Sequence, residues 1–151
     1  MTYYLMIEDD EIIGAGQCPC ASEDVISYKV SEKIYNNYCE DSNRYVWNGK
    51  AVIINPDYEE IKERERREYL SRLAMTKLDF FKYVCKPNNI TYAMLMEIVQ
   101  SNEDILSAWE LCGHVFRGDE ILCTYITQFL PAMTSDVLDA IFEQYGKEIN
   151  D

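Results

Sequence analysis

The sequence predicts an α+β protein in parts: a small antiparallel N-terminal sheet with one helix, a charged connector helix, and a C-terminal five-helix bundle. Three observations predict this. Residues 1–55 alternate short aromatic and β-branched runs with turn residues, as short strands do. Residues 62–68, Lys-Glu-Arg-Glu-Arg-Arg-Glu, are charged throughout and leave no apolar face, which describes a solvated connector. Residues 76–151 carry apolar side chains at spacings of three and four between short breaks, the helical period. The predicted domains are therefore 1–55, 56–75 and 76–151.

In order along the chain, Thr2–Glu8 and Glu11–Gln17 are two apolar runs around the short acidic turn Asp9-Asp10, a hairpin pattern. Cys18-Pro19-Cys20 stops the ladder, because proline has no N–H to donate. Val25–Val30 is a candidate strand. Ser31 is a good N-cap for a helical turn through Ile34, Tyr35 and Tyr38. The strongest local signal is Tyr45-Val46-Trp47 and Ala51-Val52-Ile53-Ile54 around Asn48-Gly49, the pair that best accepts the two positive φ angles of a type I′ turn. Pro56, near a first helical position, opens the connector, and acid-to-base spacings of four (Glu60–Arg64, Glu63–Arg67, Glu68–Arg72) support it.

Thr76 with Asp79 three residues on forms a capping box before Phe80, Phe81 and Val84. Further helices are predicted over about 91–100, after Ser101 (Ile105, Leu106, Trp109, Cys112, with Val115 continuing the spacing), after Gly118-Asp119 up to Pro131, and after Thr134 to a C′ glycine at Gly146.

Charge and cysteine usage narrow the function classes. The chain has 27 acidic and 14 basic residues, a formal charge of −13, which argues against direct binding to nucleic-acid phosphates. Residues 1–55 are net −5, residues 56–75 net −1 and residues 76–151 net −7. No apolar run reaches the roughly 18 residues of a membrane span, and the start Met1-Thr2-Tyr3-Tyr4 lacks the basic-then-apolar order of a secretory signal. The expected location is the cytoplasm, with Cys18, Cys20, Cys39, Cys85, Cys112 and Cys123 as reduced thiols.

Catalytic and metal motifs fare poorly. His114 and Cys112 lie two apart, so on a helix they point in different directions and make no nucleophile–base pair. A split zinc site from Cys18, Cys20, Cys112 and His114 has the wrong spacing. Arg117-Gly118-Asp119 reads as a helix end followed by a cap, and Gly14-x-Gly16 is too short for a phosphate loop. No catalytic, cofactor-binding or metal residues are assigned and no cofactor is expected. Eight rings crowd the first 58 residues (Tyr3, Tyr4, Tyr28, Tyr35, Tyr38, Tyr45, Trp47, Tyr58). They either anchor a protein interface or cover a small sheet, and composition leaves both open. The candidate partner-binding residues are Tyr3, Tyr4, Tyr45 and Trp47, together with the acids Asp9, Asp10, Glu103, Asp104, Asp119 and Glu120.

The N-terminal hairpin, Val30-Ser31-Glu32-Lys33-Ile34-Tyr35, Tyr45-Val46-Trp47-Asn48-Gly49-Lys50 and Asn55-Pro56-Asp57-Tyr58-Glu59 entering a charged helix resemble small accessory proteins encoded beside tail-fibre genes in phages and prophages of Gram-positive bacteria. The run Met75–Phe80, Trp109–Cys112 and Val115–Asp119 resembles the helical module that follows such linkers. The resemblance implies a non-enzymatic protein-binding role in tail or tail-fibre assembly, in the host cytoplasm or on the virion, and brings no site residues with it. The alternative expectation is an acidic anti-defence inhibitor, of anti-CRISPR or anti-restriction type, that mimics nucleic acid and binds a host nuclease. Either way the expected partner is a protein, a tail component or a nuclease. The charged connector also leaves room for a homo-oligomer.

Overall fold

A computed structural model describes residues 1–149 of the chain, which divides into two compact units between Arg64 and Glu65. The fold is α+β, built from short helices and small antiparallel sheets.

In the first unit β1 (Tyr3–Glu8), β2 (Glu11–Gly16) and β3 (Ile26–Val30) form a sheet in the order β2-β1-β3. Glu8 pairs with Glu11, so the loop is Asp9-Asp10 alone, with φ of 49° and 64°. Two positive φ angles in a two-residue loop are the mark of a type I′ turn. The structure thus puts at Asp9-Asp10 the turn geometry that the sequence suggests for Asn48-Gly49. Aspartate tolerates left-handed backbone better than most residues but less well than glycine. Replacing Asp9-Asp10 with Asn-Gly is therefore expected to stabilise this unit by about 0.5–1 kcal/mol. A thermal scan should show a higher midpoint; a lower one would contradict the turn assignment.

Because β1 lies between β2 and β3, residues 17–25 must cross β1. Ser27 Oγ accepts the Cys20 N–H at 2.8 Å and pins that crossing. Gly16 lies under it, where a Cβ would sit 3.1 Å from Met6 Cε. The glycine is explained by close approach and not by a phosphate. The other face of β1 buries Leu5 and Ile7. Toward it α1 (Glu32–Glu40) brings the Tyr35 ring to 4.8 Å from Tyr3, and the Tyr38 hydroxyl donates to the Ile12 carbonyl at 3.2 Å. Ser31 caps α1, accepting the Ile34 N–H at 3.3 Å.

A 3₁₀ turn (Ser42–Arg44) leads into β4 (Tyr45–Trp47), which pairs with β5 (Val52–Ile54). The hairpin is where the sequence suggests it, but its loop is the four residues 48–51. Only Gly49 has positive φ, 86°. Asn48 Oδ1 accepts the N–H groups of Lys50 and Ala51 at 3.0 and 2.8 Å. An Asx turn closed by that side chain removes the need for a second positive φ.

Helix α2 (Tyr58–Arg72) carries the charged run. Residues 63–69 are exposed and Leu70 is the first core residue. The helix stops three residues short of the predicted connector end. Leu73–Thr76 is instead β6, the middle strand of a second sheet, β7-β6-β8, with β7 (His114–Phe116) and β8 (Lys147–Glu148). This corrects the expectation of an all-helical C-terminal module. Leu73, Ala74 and Met75 are all buried; successive strand side chains point to opposite faces, so this strand is covered on both. Val115, expected to continue a helix, lies instead in the edge strand β7, where it is the buried residue between half-buried His114 and exposed Phe116. The helical segments of this unit are α3 (Lys77–Phe80), running on through a π turn (Phe81–Cys85) and a 3₁₀ turn (Lys86–Asn88), then α4 (Tyr92–Gln100), α5 (Glu103–Leu111), α6 (Leu122–Thr127) and α7 (Ser135–Tyr145). They surround one apolar core that includes Phe80, Val84, Leu95, Trp109, Ile126 and Phe142. Arg66 pairs with Glu143 at 3.4 Å and Arg72 with Glu148 at 3.2 Å, fastening the end of α2 to α7 and β8.

Gly146 is extended (φ −74°, ψ 159°), not a left-handed C′ residue. It is glycine because a Cβ would lie 2.5 Å from the Phe142 carbonyl oxygen. Gly118 likewise faces Ser71, with only 2.8 Å to its Cβ. Among the described residues no helix is long and apolar enough to cross a membrane.

Candidate functional site

The first unit contains a cleft of about 350 Å³, lined by Asp10, Glu11 and Ile12 from the first hairpin, Tyr38 from α1, Ser42 and Asn43 from the 3₁₀ turn, Tyr45, Val46 and Trp47 from β4, and Asn55. Its walls are held by hydrogen bonds that the local sequence supplies. Tyr45 is buried at 9 % exposure, and its hydroxyl oxygen accepts from Asn37 Nδ2 at 3.1 Å. Asn55 Nδ2 donates to the Asn43 carbonyl at 2.9 Å, and the Asn55 N–H to that of Arg44 at 2.9 Å. Trp47 meets Tyr28 edge to face, 5.0 Å between centroids.

Behind the 3₁₀ turn, Asp41 ties α1 to the start of α2. Its carboxylate pairs with Lys62 and accepts the Tyr58 hydroxyl at 3.1 Å. The Lys62 contact is the main reason that its pKa lies below the ordinary carboxylate value. A depressed folded-state pKa means that this stabilisation is present above the ordinary pKa and is lost as pH falls through the lower folded value.

Asp10, Tyr45 and Trp47 are the predicted partner-binding residues that the fold brings together. Tyr3 and Tyr4 are half-buried in β1, and Tyr3 donates to Glu32 Oε1 at 2.9 Å. Asp9 is exposed in the turn. The remaining acids belong to the second unit. Glu103 and Asp104 are exposed in the first turn of α5, and Glu120 is exposed beside α6. Asp119 has a local task, as its Oδ1 accepts the N–H groups of Ile121 and Leu122 at 2.8 and 3.0 Å. Of the eight N-terminal rings none is fully exposed. They largely serve as the unit's interior, which otherwise has only Leu5 and Ile7 fully buried. Glu11, Tyr38, Asn43 and Asn55 were missed. Asn55 next to Pro56 carried a signal, but it reads equally as a simple stop.

Arg117-Gly118-Asp119 follows strand β7 and not the helix end that the sequence suggests; Asp119 keeps its capping role, while Arg117 Nε donates to Asp139 at 2.6 Å and Nη2 to Ser135 Oγ at 2.9 Å. His114 opens β7 and Cys112 follows α5, so the pair is not helical. Cys18 and Cys20 lie in the other unit from these two. Among the described residues no three His, Cys, Asp or Glu side chains gather as a metal requires.

No family model, curated protein or solved structure matches this chain.

The cleft's chemistry must then be judged from its own groups. Two carboxylates beside Trp47 and Tyr45 offer a cationic side chain an ion pair and aromatic faces at once. The thiols are arranged differently. Burial pushes Cys85 and Cys123 up to about 12, whereas Cys18, Cys20 and Cys39 are exposed. With a disulfide reagent near pH 8 the folded protein is expected to release a fast phase from these three, a slower one from half-buried Cys112, and the last two only on unfolding. Rapid labelling of Cys85 or Cys123 would contradict the packing.

Proposed function

We propose that this chain is a non-catalytic, protein-binding accessory protein of a phage or prophage, acting in tail or tail-fibre assembly. The cleft of the first unit takes a Lys or Arg side chain of the protein partner. The observation that carries the binding mode is the meeting of Asp10 and Glu11 with Tyr45 and Trp47 in one cleft whose rings are fixed by hydrogen bonds and edge contacts. A preset aromatic–acidic notch costs little side-chain entropy on binding, which is what anchors an interface. The phage context is supported by the sequence resemblance over both halves of the chain.

The test is a pull-down with the tagged chain from infected or lysogenic cells. A fibre or baseplate protein should copurify, and Asp10→Lys with Trp47→Ala should reduce its recovery by roughly tenfold or more. Deletion should also lower the yield of infectious particles. Full recovery with the double variant would overturn the cleft as the binding site.

A second reading, the acidic anti-defence inhibitor, is favoured by the exposure of Asp9, Asp10, Glu103, Asp104 and Glu120. It requires salt-sensitive inhibition of a nucleic-acid-binding host enzyme. Neutralising those acids while inhibition persists would eliminate it.

A further inference from the structure

The second unit has a groove of about 230 Å³ lined by Lys77, Leu78, Phe81, Tyr92 and Trp109. Its surroundings are built from aromatic and aliphatic groups. Phe81 meets Tyr92 edge to face with centroids 5.7 Å apart. The Lys77 ammonium lies 5.3 Å from the Trp109 ring centre. Leu78 is 72 % exposed and Tyr92 57 % exposed at its rim, while Trp109 is buried at 5 %. An aliphatic and an aromatic side chain are thus left in water beside a buried core tryptophan whose ring the Lys77 ammonium approaches. Phe81 also begins the π turn, a helical irregularity that recurs at functional positions.

Charge says what this groove receives. The chain as a whole is −13, yet residues 77–88 contain Lys77, Lys82 and Lys86 against Asp79 alone. Asp79 is committed to Thr76, whose hydroxyl donates to it at 2.8 Å. Three of the groove's five lining residues, Lys77 among them, thus belong to a net-basic segment of a strongly acidic protein. We infer that the groove docks an acidic amphipathic helix of a partner protein, with a Leu or aromatic anchor inside it and a carboxylate on Lys77. Anchor-in-groove recognition of this type uses one apolar face and leaves charge to select the partner. A second copy of this chain is the poorer occupant. Groove-to-helix contact between identical chains is heterologous and propagates into rings or filaments, and copies of charge −13 repel. This inference goes beyond the cleft of the first unit: it gives the protein a second docking surface of opposite preference, and so the means to bridge two partners.

The test uses the full-length chain and two synthetic, fluorescein-labelled helical peptides. Both carry Leu and Trp along one face, and their polar faces are all Glu in one and all Lys in the other. The overall charge of the protein favours the basic peptide, so preference for the acidic one must come from a local site. Fluorescence anisotropy should show saturable binding of the acidic peptide, at least about tenfold tighter than the basic one. Leu78→Asp and Lys77→Glu should each weaken it by about tenfold or more. Leu111→Asp, at a leucine 87 % exposed and outside the groove, should leave it unchanged, as should Asp10→Lys with Trp47→Ala, which separates failure here from failure of the cleft. The proposal is overturned if the basic peptide binds as well to the Asp10→Lys, Trp47→Ala protein, whose first-unit cleft no longer takes Lys side chains, if neither peptide binds, or if Leu111→Asp weakens binding as much as Leu78→Asp. A dimer in sedimentation that Leu78→Asp dissolves would also overturn it, by giving the groove to a second copy.

Discussion

Replacing Phe142 with alanine is expected to destabilise the second unit by about 3–5 kcal/mol. Phe142 is fully buried on α7 and its ring lies 6.5 Å from that of Phe80, also fully buried. Removing it takes away the apolar area and leaves a cavity where α3 and α7 meet. Those two helices are held from opposite ends of β6: α3 follows it directly, and α7 leads into β8, which pairs with Leu73 and Ala74. Collapse into the cavity would have to shift the sheet, because the Gly146 link allows no slack near the Phe142 carbonyl. A domain of this size has a total stability of roughly 4–13 kcal/mol, so the loss is a large fraction of it. Urea unfolding followed by Trp109 fluorescence, in a Trp47→Phe background, measures it directly. A loss under about 1 kcal/mol would mean that the two rings do not share the core described above.

Leu5→Ala should have a comparable effect on the first unit, about 2–5 kcal/mol. Leu5 and Ile7 are its only fully buried aliphatic side chains among the described residues, and the rest of its interior is tyrosine and tryptophan held at half burial. A unit of about 60 residues has little margin to absorb that loss. The effect should fall on one reporter. With Trp109 replaced by Phe, Trp47 fluorescence should change at a much lower urea concentration than in the parent. With Trp47 replaced by Phe, Trp109 should respond almost as before. An equal shift at both tryptophans would show that the two interiors unfold as one.

Much of this fold was legible in the sequence wherever the signal was local. The hairpins around residues 9–10 and 48–49, the Ser31 cap, the charged run of α2 and the helical segments after Thr76 each follow from residues close together in the chain. The second sheet was not legible. Its strands have four, three and two residues, too few to display a period of two. Their partners lie about 40 and 70 residues apart in sequence, which no local pattern encodes. The candidate cleft was half legible. Asp10, Tyr45 and Trp47 were singled out by type, but Tyr38 joins them through its hydrogen bond to Ile12, and Asn43 and Asn55 because β4 packs beside β2. Leu78, in the groove of the second unit, was readable in principle as a leucine off the Phe80–Val84 stripe.

The sequence by itself determined the division of labour along the chain: turn residues and aromatic runs for strands, an uninterrupted charged stretch that has to stay in water, and helical periods with their caps. Tertiary structure decided which aromatic rings became interior, which acid was consumed as a cap, and why Gly16, Gly118 and Gly146 must be glycine. These depend on distances between segments far apart in the chain. Periodicity records which way a side chain points along its own element, and only packing decides what stands opposite it.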